Sequence, residues 1–232
     1  MKAIILAAGR GVRLRPYTHV TPKPLLKIND KRIIDYTLDI LPDEIDEVIL
    51  VIGHLKWRVK WHLGDVYNHK KIHYIVQKEK KGTAHALYAC KKLLKKKERF
   101  LVLYGDNIYT KKDLKKCLDY PLSILATEVD DPSEFGVLSF DKKRHLKDII
   151  EKPKKNPPSN LVVCGAFVLN RKIFNYKMQA IDKKEFGLPQ TITKMAKNCP
   201  IKIIKASLWI PIGYPKDIKK AEQILADFKD KP

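Results

Sequence analysis

The chain has 232 residues, 44% of them apolar, and its 47 Lys and Arg against 26 Asp and Glu give a net charge of +21. This length and apolar content exclude a wholly disordered chain and allow one elaborated domain with its own core. No apolar run reaches the roughly 18 residues that span a bilayer, which argues against a membrane partner, and the surplus of cations favours anionic ones.

The first half alternates short apolar runs rich in β-branched residues with amphipathic stretches, the pattern of an α/β fold with a largely parallel sheet. Strands are predicted at 3–8, 47–52, 72–76, 100–104 and 122–127. Helices are predicted at 33–41, 55–66 and 84–97. The last helix explains the densest lysine run as a solvated helix face, with its final lysines at the negative helix end. A dedicated nucleic-acid surface is therefore disfavoured, and no nucleic-acid-binding motif supports one.

From Phe135 onward the pattern changes to mixed or antiparallel strands at 137–140, 146–150 and 162–169, around the proline-rich loop 152–158. Helices at 188–197 and 216–228 are predicted on either side of a strand at 201–205. No linker or repeat divides the chain, so residues 1–232 are expected to form one domain.

The four cysteines are scattered and none forms a C-x-x-C pair, which argues against a zinc cluster or a redox motif. They fit a reducing compartment. The apolar N-terminal run enters a Gly/Arg loop without a small-residue cleavage site, so it is interpreted as a buried strand and the protein as cytoplasmic.

The first predicted strand ends in Leu6-Ala7-Ala8-Gly9-Arg10-Gly11-Val12-Arg13, and Pro22-Lys23-Pro24 follows nearby. Glycines allow a tight turn and a close approach to a ligand, and successive exposed N–H groups can bind an anion. Arg13 and Lys23 add the positive charges that a triphosphate needs. The spacing is neither the dinucleotide fingerprint nor a Walker A loop, and Gly-x-Gly alone is also typical of an ordinary turn.

The whole string closely resembles the signature of the sugar-phosphate nucleotidylyltransferases, which include glucose-1-phosphate thymidylyl- and uridylyltransferases and the N-terminal domain of bifunctional N-acetylglucosamine-1-phosphate uridylyltransferase. The resemblance implies a Rossmann-like fold with a mainly parallel mixed sheet, a nucleotide-binding core at 1–127 and a sugar-binding part with closing helices at 128–232. It implies transfer of a nucleotidyl group from a nucleoside triphosphate to a sugar 1-phosphate, with release of pyrophosphate. It also implies that the nucleotide is contacted by Leu6, Ala8, Gly9, Gly11, Arg13 and Lys23.

Gln77 and Gly82-Thr83-Ala84-His85-Ala86 resemble the family's base pocket. A glutamine carries both a donor and an acceptor and can pair with the N3–H and O4 edge of uracil or thymine, which favours UTP, then dTTP. Gly82 is expected to let the backbone approach the ring, and Thr83 to cap the helix that begins there. His85 is expected to face the core or solvent and is given no catalytic role.

The apolar strand at 100–104 runs into Gly105-Asp106. Ligands bind at the carboxyl ends of parallel strands, so Asp106 is a candidate to hold Mg²⁺ against phosphates. An Asp-Asn pair can also simply begin a turn. The matching position of the family signature favours the metal role.

The sugar side of the family resembles three further segments here, and the resemblance implies sugar contacts for Gly136 and Glu151, with Lys152 near the sugar phosphate. Val163 stands where N-acetyl-specific members carry Asn, which leaves a plain hexose as a candidate substrate. A homo-oligomer is among the assemblies that the sequence leaves open.

One segment departs from the family. Trp209-Ile210-Pro211-Ile212-Gly213 has Pro211 where the resemblance calls for an Asp or Asn that ligates the metal. The metal is then held by Asp106, phosphates and another group, or the chain is a weakened or regulatory relative. Asp217 is a candidate substitute ligand, although a carboxylate early in a helix is ordinarily a stabilising charge. A nucleotidylyltransferase for another phosphorylated alcohol is a further alternative.

Overall fold

The structure is a computed structural model that describes residues 1–182 and 185–229. Residues 183–184 and 230–232 of the expected domain lie outside this part. The helices are α1 (Ile33–Asp39), α2 (Lys56–Leu63), α3 (Gly82–Ala89), α4 (Lys111–Leu118), α5 (Leu188–Ala196) and α6 (Pro215–Lys229). Single 3₁₀ turns lie at Val12–Leu14, Tyr17–His19, Lys23–Leu25, Lys91–Leu93 and Arg171–Asn175.

The strands of the first half are β1 (Lys2–Ala7), β2 (Lys27–Ile28), β3 (Lys31–Arg32), β4 (Glu47–Ile52), β5 (Val66–Tyr67), β6 (Lys70–Val76), β7 (Arg99–Tyr104), β8 (Asn107–Ile108) and β9 (Ser123–Glu128). Those of the second half are β10 (Gly136–Phe140), β11 (Leu146–Glu151), β12 (Leu161–Asn170), β13 (Gln179–Ala180), β14 (Phe186–Gly187), β15 (Lys202–Lys205) and β16 (Ile210–Pro211).

One mixed sheet organises the molecule, in the order β11-β10-β12-β7-β1-β4-β6-β5, with β9 beside β12 and β15 beside β9. The central strands β7, β1, β4 and β6 are parallel, whereas β12 joins β7 in antiparallel pairing. The predicted α/β fold with a mainly parallel central sheet is therefore confirmed.

The core lies on both faces of this sheet because helices cover each face. The stretch Val48–Ile52 of β4 is fully buried, as expected for a central parallel strand that contacts a layer on either side. Among the described helices, each is too short or too polar to cross a bilayer.

The predicted helix at 84–97 is wrong in its second half. The α-helix begins at Gly82 and ends at Ala89, and after the turn at Lys91–Leu93 the backbone of Leu94 becomes extended. Leu94 is only 3% exposed, so the chain leaves the helix in order to bury this side chain and enter β7.

The predicted helix at 55–66 is also too long, because α2 ends at Leu63 and the next residue, Gly64, has a φ of 60° that does not continue a helix. Val66 belongs instead to β5. Helix α4 was not predicted at all. Its signal was Thr110, whose hydroxyl accepts a hydrogen bond from the Asp113 N–H and so caps the helix.

Candidate functional site

Four parallel strands end at the same level and place the candidate residues along one edge of the sheet. In β7, β1, β4 and β6, Leu6 pairs with Tyr104, Ala7 with Ile52 and Ile52 with Val76. Asp106, the Ala8–Gly11 loop and Gln77 directly follow three of these strands. Since neighbouring strands lie about 4.8 Å apart, Asp106 and Gln77 are separated by three strand spacings, on the order of 14 Å. This edge can accommodate an extended ligand.

The glycine loop is fixed at one glycine and open at the other. Gly11 has φ 62°, and a Cβ there would lie 2.8 Å from the Thr18 Cγ2 atom. The Thr18 hydroxyl donates to the Gly11 carbonyl at 2.7 Å. A Cβ on Gly9 would meet no atom within 4 Å, so space for a ligand is left beside this exposed residue.

Lys23 and Asp106 form an ion pair with 2.6 Å between Lys23 Nζ and Asp106 Oδ2. The Lys23 side chain is 12% exposed and the Asp106 side chain 41%. The other Asp106 oxygen accepts a hydrogen bond of 3.0 Å from the Asn107 amide. The structure thus brings together the cation and the carboxylate that the sequence proposed for phosphate and metal.

Arg13 reaches the same end of the site from the exposed side. Its Nη1 atom donates to the Tyr214 hydroxyl at 3.1 Å, and its guanidinium lies 5.0 Å from the centroid of that ring. Tyr214 was not predicted as a site residue, since the contact joins positions 201 residues apart.

Two neighbouring cations, Arg10 and Lys80, lie near the glycine loop. Burial, and then the nearby charge of Arg10, hold the pKa of the Lys80 ammonium below its usual value. Repulsion between these two cations would be relieved by a bound anion, which fits a phosphate-binding role for the glycine loop.

The donor set around Asp106 fits a cation held by one protein carboxylate. The residues of the described part include no group of three or more His, Cys, Asp or Glu that could hold a metal. Pro211 pairs with Asn107 across β16 and β8 and offers no side-chain oxygen. Mg²⁺ often takes one or two carboxylates and completes its shell with phosphate oxygens and water, so a single carboxylate suffices.

Asp217 serves its ordinary structural role. Its Oδ2 accepts hydrogen bonds of 2.7 Å from both the Gly213 and the Tyr214 N–H groups, at the start of α6. This carboxylate therefore fixes the loop after Pro211.

At the other end of the edge, Gln77 is 7% exposed and its amide nitrogen has two acceptors. These are the Gly82 carbonyl at 3.2 Å and the His85 Nδ1 atom at 3.1 Å. His85 is half-buried and its ring faces the buried Gln77 side chain, a contact that the sequence did not predict. No local sequence signal distinguishes this contact from an ordinary helix position.

Gly82 and Thr83 connect this end to the second half of the chain. Gly82 has φ 85°, and a Cβ there would lie 2.4 Å from the Phe186 carbonyl oxygen, so only glycine fits. The expectation that Thr83 caps its own helix is wrong, because α3 has no side-chain cap. The Thr83 hydroxyl instead accepts from the Leu188 N–H at 2.9 Å, at the start of α5.

The candidate sugar residues converge on β10, β11 and β12. Gly136 pairs with Glu151, and a Cβ on Gly136 would lie 3.4 Å from Glu151 Oε2 and 3.6 Å from Val163 Cγ2. The Glu151 carboxylate accepts from the Gln190 amide at 3.2 Å. Lys152 follows directly, and its ammonium pairs with Glu134 at 3.1 Å.

Trp209 connects the sugar residues to the carboxylate end. Its indole N–H donates to Asn107 Oδ1 at 3.1 Å, and its ring packs edge-on against Phe135 with centroids 5.5 Å apart. The Trp209 side chain therefore joins Asn107, which follows Asp106, to Phe135, which precedes Gly136.

Comparisons with known proteins agree with this arrangement. A family model described as nucleotidyl transferase matches residues 2–227. A Methanocaldococcus jannaschii protein described as the bifunctional protein GlmU is 34% identical over 98% of this chain and 55% of its own length. A Haloferax volcanii protein described as UTP–glucose-1-phosphate uridylyltransferase AglF is 31% identical over 98% of this chain and 97% of its own length.

A solved Bacillus anthracis structure, described as a glucose-1-phosphate thymidylyltransferase in complex with a sucrose, superposes with a TM-score of 0.87 at 28% identity. The match covers 98% of this chain and 96% of that one. The chain spans about half the length of the bifunctional relatives.

Proposed function

The chain belongs to the nucleotidyl transferase family, and from that membership we propose that it transfers a nucleotidyl group from UTP or dTTP to a sugar 1-phosphate and releases pyrophosphate. One observation carries the proposal. Cations, a glycine loop and a carboxylate lie at one end of a single strand edge, and an oriented glutamine lies at the other. The relatives described as uridylyl- and thymidylyltransferases support the two bases.

In the proposed complex the triphosphate lies over the loop formed by Leu6, Ala8, Gly9 and Gly11, and the base lies at Gln77, Gly82 and Thr83. Arg13 and Lys23 bind the phosphates. The edge extends over three strand spacings, about 14 Å, which leaves room for phosphates at one end and a base at the other. The charge of the cations compensates the charge of the phosphates.

The sugar 1-phosphate is proposed to bind against Gly136, Glu151 and Val163, with Lys152 directed to its phosphate. The Glu151 carboxylate is oriented by Gln190 and can accept hydrogen bonds from sugar hydroxyls. Val163 lacks the side-chain amide of the Asn that N-acetyl-specific members carry at this position, which favours a plain hexose over an N-acetyl sugar.

The chemistry requires positioning more than proton transfer. A phosphate monoester has its second pKa near ~6, so the sugar phosphate is mostly dianionic at neutral pH and attacks the α-phosphorus without a general base. Arg13, Lys23 and Lys152 reduce the repulsion between the two polyanions and hold them in line. Asp106 would hold Mg²⁺, which when bound supplies further positive charge to the phosphates.

The proposed setting of this reaction is the cytoplasm. The four cysteines are free, which agrees with a reducing compartment. A homo-oligomer stays a prediction.

A second candidate function is a sugar-nucleotide-binding protein with weakened catalysis. It is favoured by Pro211, which pairs with Asn107, the residue after Asp106, and has no side-chain oxygen to offer a metal. This candidate binds nucleotide and sugar phosphate but releases no pyrophosphate.

A pyrophosphate-release assay separates the candidates. Purified protein is mixed with magnesium, each of the four common nucleoside triphosphates and either glucose 1-phosphate or N-acetylglucosamine 1-phosphate. We expect release with UTP or dTTP, and a fall in turnover of at least ~100-fold in Asp106→Ala, as is typical when one electrostatic group of an active site is lost.

The matched control is Asp227→Ala, which removes an exposed carboxylate from α6 and should keep the full rate. Wild-type turnover in Asp106→Ala would refute the proposed site. Binding without release would favour the second candidate.

A further inference from the structure

The side-chain amide of Gln77 has one defined orientation. Its nitrogen lies 3.2 Å from the Gly82 carbonyl oxygen, which can only accept a hydrogen bond, so the NH₂ group and not the oxygen must face it. Because Gln77 is 7% exposed, solvent offers little compensation for a rotated amide.

His85 engages the second hydrogen of the same NH₂ group. Its Nδ1 atom lies 3.1 Å from the Gln77 nitrogen, and for this contact Nδ1 accepts and the ring proton resides on Nε2. His85 lies one turn after Gly82 at the start of α3, so one helix end supplies both acceptors.

Gln77 itself is held by the sheet. Its backbone N–H donates to the Ile52 carbonyl at 2.9 Å, where β4 and β6 end together. With both amide hydrogens in use, the group that Gln77 offers to a ligand is the carbonyl oxygen, which is an acceptor only.

We infer that His85 is a specificity-determining residue, which holds the Gln77 amide so that its oxygen faces N3 of the base and so selects a pyrimidine that carries a hydrogen on N3 over one whose N3 is bare. This rests on the proposed function, since it assigns the base to the Gln77 end. Uracil and thymine present N3–H, which complements the oxygen. Cytosine presents an unprotonated N3, which the oxygen repels.

A rotated amide would present NH₂ to cytosine, but it would also place its oxygen against the Gly82 oxygen and, in the tautomer protonated at Nε2, against the lone pair of His85 Nδ1. His85 therefore raises the free energy of the orientation that accepts CTP. The same reasoning predicts no discrimination between UTP and dTTP, because both carry N3–H.

The test is the UTP-to-CTP ratio of kcat/KM, together with the ratio of their dissociation constants measured with magnesium by titration calorimetry. We expect His85→Leu, which has no acceptor, to lower both ratios about 5-fold, the size of one net hydrogen bond. His85→Asn, which can again accept, should restore most of the selectivity. His73→Leu, in β6 just before Gln77 but paired with Glu47, should leave the ratios unchanged.

A double-mutant cycle shows whether His85 acts through Gln77. Gln77→Ala should lower the ratios by itself, and adding His85→Leu should change them no further. A structural role for His85 would lower stability and the rates with UTP and CTP together, which leaves the ratio constant.

The two levels of failure are distinguishable. Wild-type protein that binds no nucleotide would refute the proposed function and with it this inference. If UTP binds and reacts but the wild type accepts CTP equally well, or His85→Leu keeps the wild-type ratio, the role of His85 is refuted and the proposed function stands.

Discussion

Arg13 is the one proposed phosphate contact whose side chain is held by an aromatic residue from the far end of the chain. The hydrogen bond to the Tyr214 hydroxyl and the stacking on its ring restrict a long, exposed side chain. Asp217 in turn fixes the backbone of Tyr214 through two N–H groups. Less side-chain entropy is then lost when Arg13 binds a phosphate.

We therefore expect Tyr214→Ala to lower kcat/KM for the triphosphate about 5-fold, which corresponds to the ~1 kcal/mol of an exposed cation–π contact. Tyr214→Phe keeps the ring and should lose less. In an Arg13→Ala background Tyr214→Ala should have no further effect. Steady-state kinetics with UTP measure the wild type and these four variants, Arg13→Ala included, and an unchanged or higher kcat/KM in Tyr214→Ala would contradict the role.

The sequence identified the candidate residues that belong to short contiguous motifs. The glycine loop and Asp106 lie together because strand ends in a parallel sheet share one edge, which the alternating pattern predicted, and the turn at Lys23–Leu25 brings Lys23 to Asp106. The sequence did not identify contacts of His85, Asn107 and Tyr214 in the site. Each contact depends on where another residue of the chain lies in the fold, which no spacing in the sequence reveals. For the same reason the Thr83 hydroxyl was expected to cap α3, whereas it contacts the start of α5. The residue that it contacts, Leu188, lies 105 residues away.

At the scale of elements, α4 positions the segment that leads to Trp209. Its buried Asp113 accepts from the Ser207 N–H at 2.7 Å and from the Leu208 N–H at 3.3 Å. The helix in turn depends on the Thr110 cap. The Thr110 cap at the start of α4 thus supports the loop that follows β15.

We predict that Thr110→Ala lowers the free energy of unfolding by about 1 kcal/mol, because it leaves the Asp113 N–H without its cap. Thr110→Ser keeps the hydroxyl, so its free energy of unfolding should fall much less than that of Thr110→Ala, by only a few tenths of about 1 kcal/mol. Urea denaturation measures both variants. Equal midpoints for the wild type and Thr110→Ala would show that the cap contributes nothing.

The long strands were predictable because burial on two faces demands continuous apolar runs, as in β4. The two-residue strands, such as β8 and β16, were not, since pairing with a distant segment defines them and no pattern of their own does. The predicted third helix was too long because the lysine run continued its pattern while the burial of Leu94 ended it.

At the scale of the whole molecule, the first half provides the parallel edge and the second half joins it through β12 and the contacts at Gly82 and Thr83. The sequence predicted parallel pairing among β1, β4, β6 and β7 and antiparallel pairing among β10, β11 and β12. The order of strands could not be read from it, because many orders satisfy the same hydrophobic pattern.

The buried thiols predict a loss of stability at alkaline pH. Burial raises the pKa of Cys90 and of Cys117 from 9.0 to about 12. Between these pKa values the unfolded chain releases thiol protons that the folded chain retains. The contribution of the two thiols to the free energy of unfolding is therefore full below pH 9 and falls as pH rises toward 12. Each thiol contributes a slope of about 1.4 kcal/mol per pH unit.

Urea denaturation at pH 8 and pH 10, at constant ionic strength, measures this effect. Cys90→Ala should reduce the difference between the two pH values, whereas Cys199→Ala, at a partly exposed position, serves as the matched control. Equal stability at both pH values would contradict the prediction.

The most direct test of the nucleotide site is the melting temperature of the protein with and without a nucleoside triphosphate and magnesium. A ligand at 100 times its dissociation constant stabilises the folded state by about 2.7 kcal/mol. We predict a clear rise with UTP or dTTP, and a much smaller one in Lys23→Ala. A melting temperature that no triphosphate raises would contradict the assignment of this strand edge as the nucleotide site.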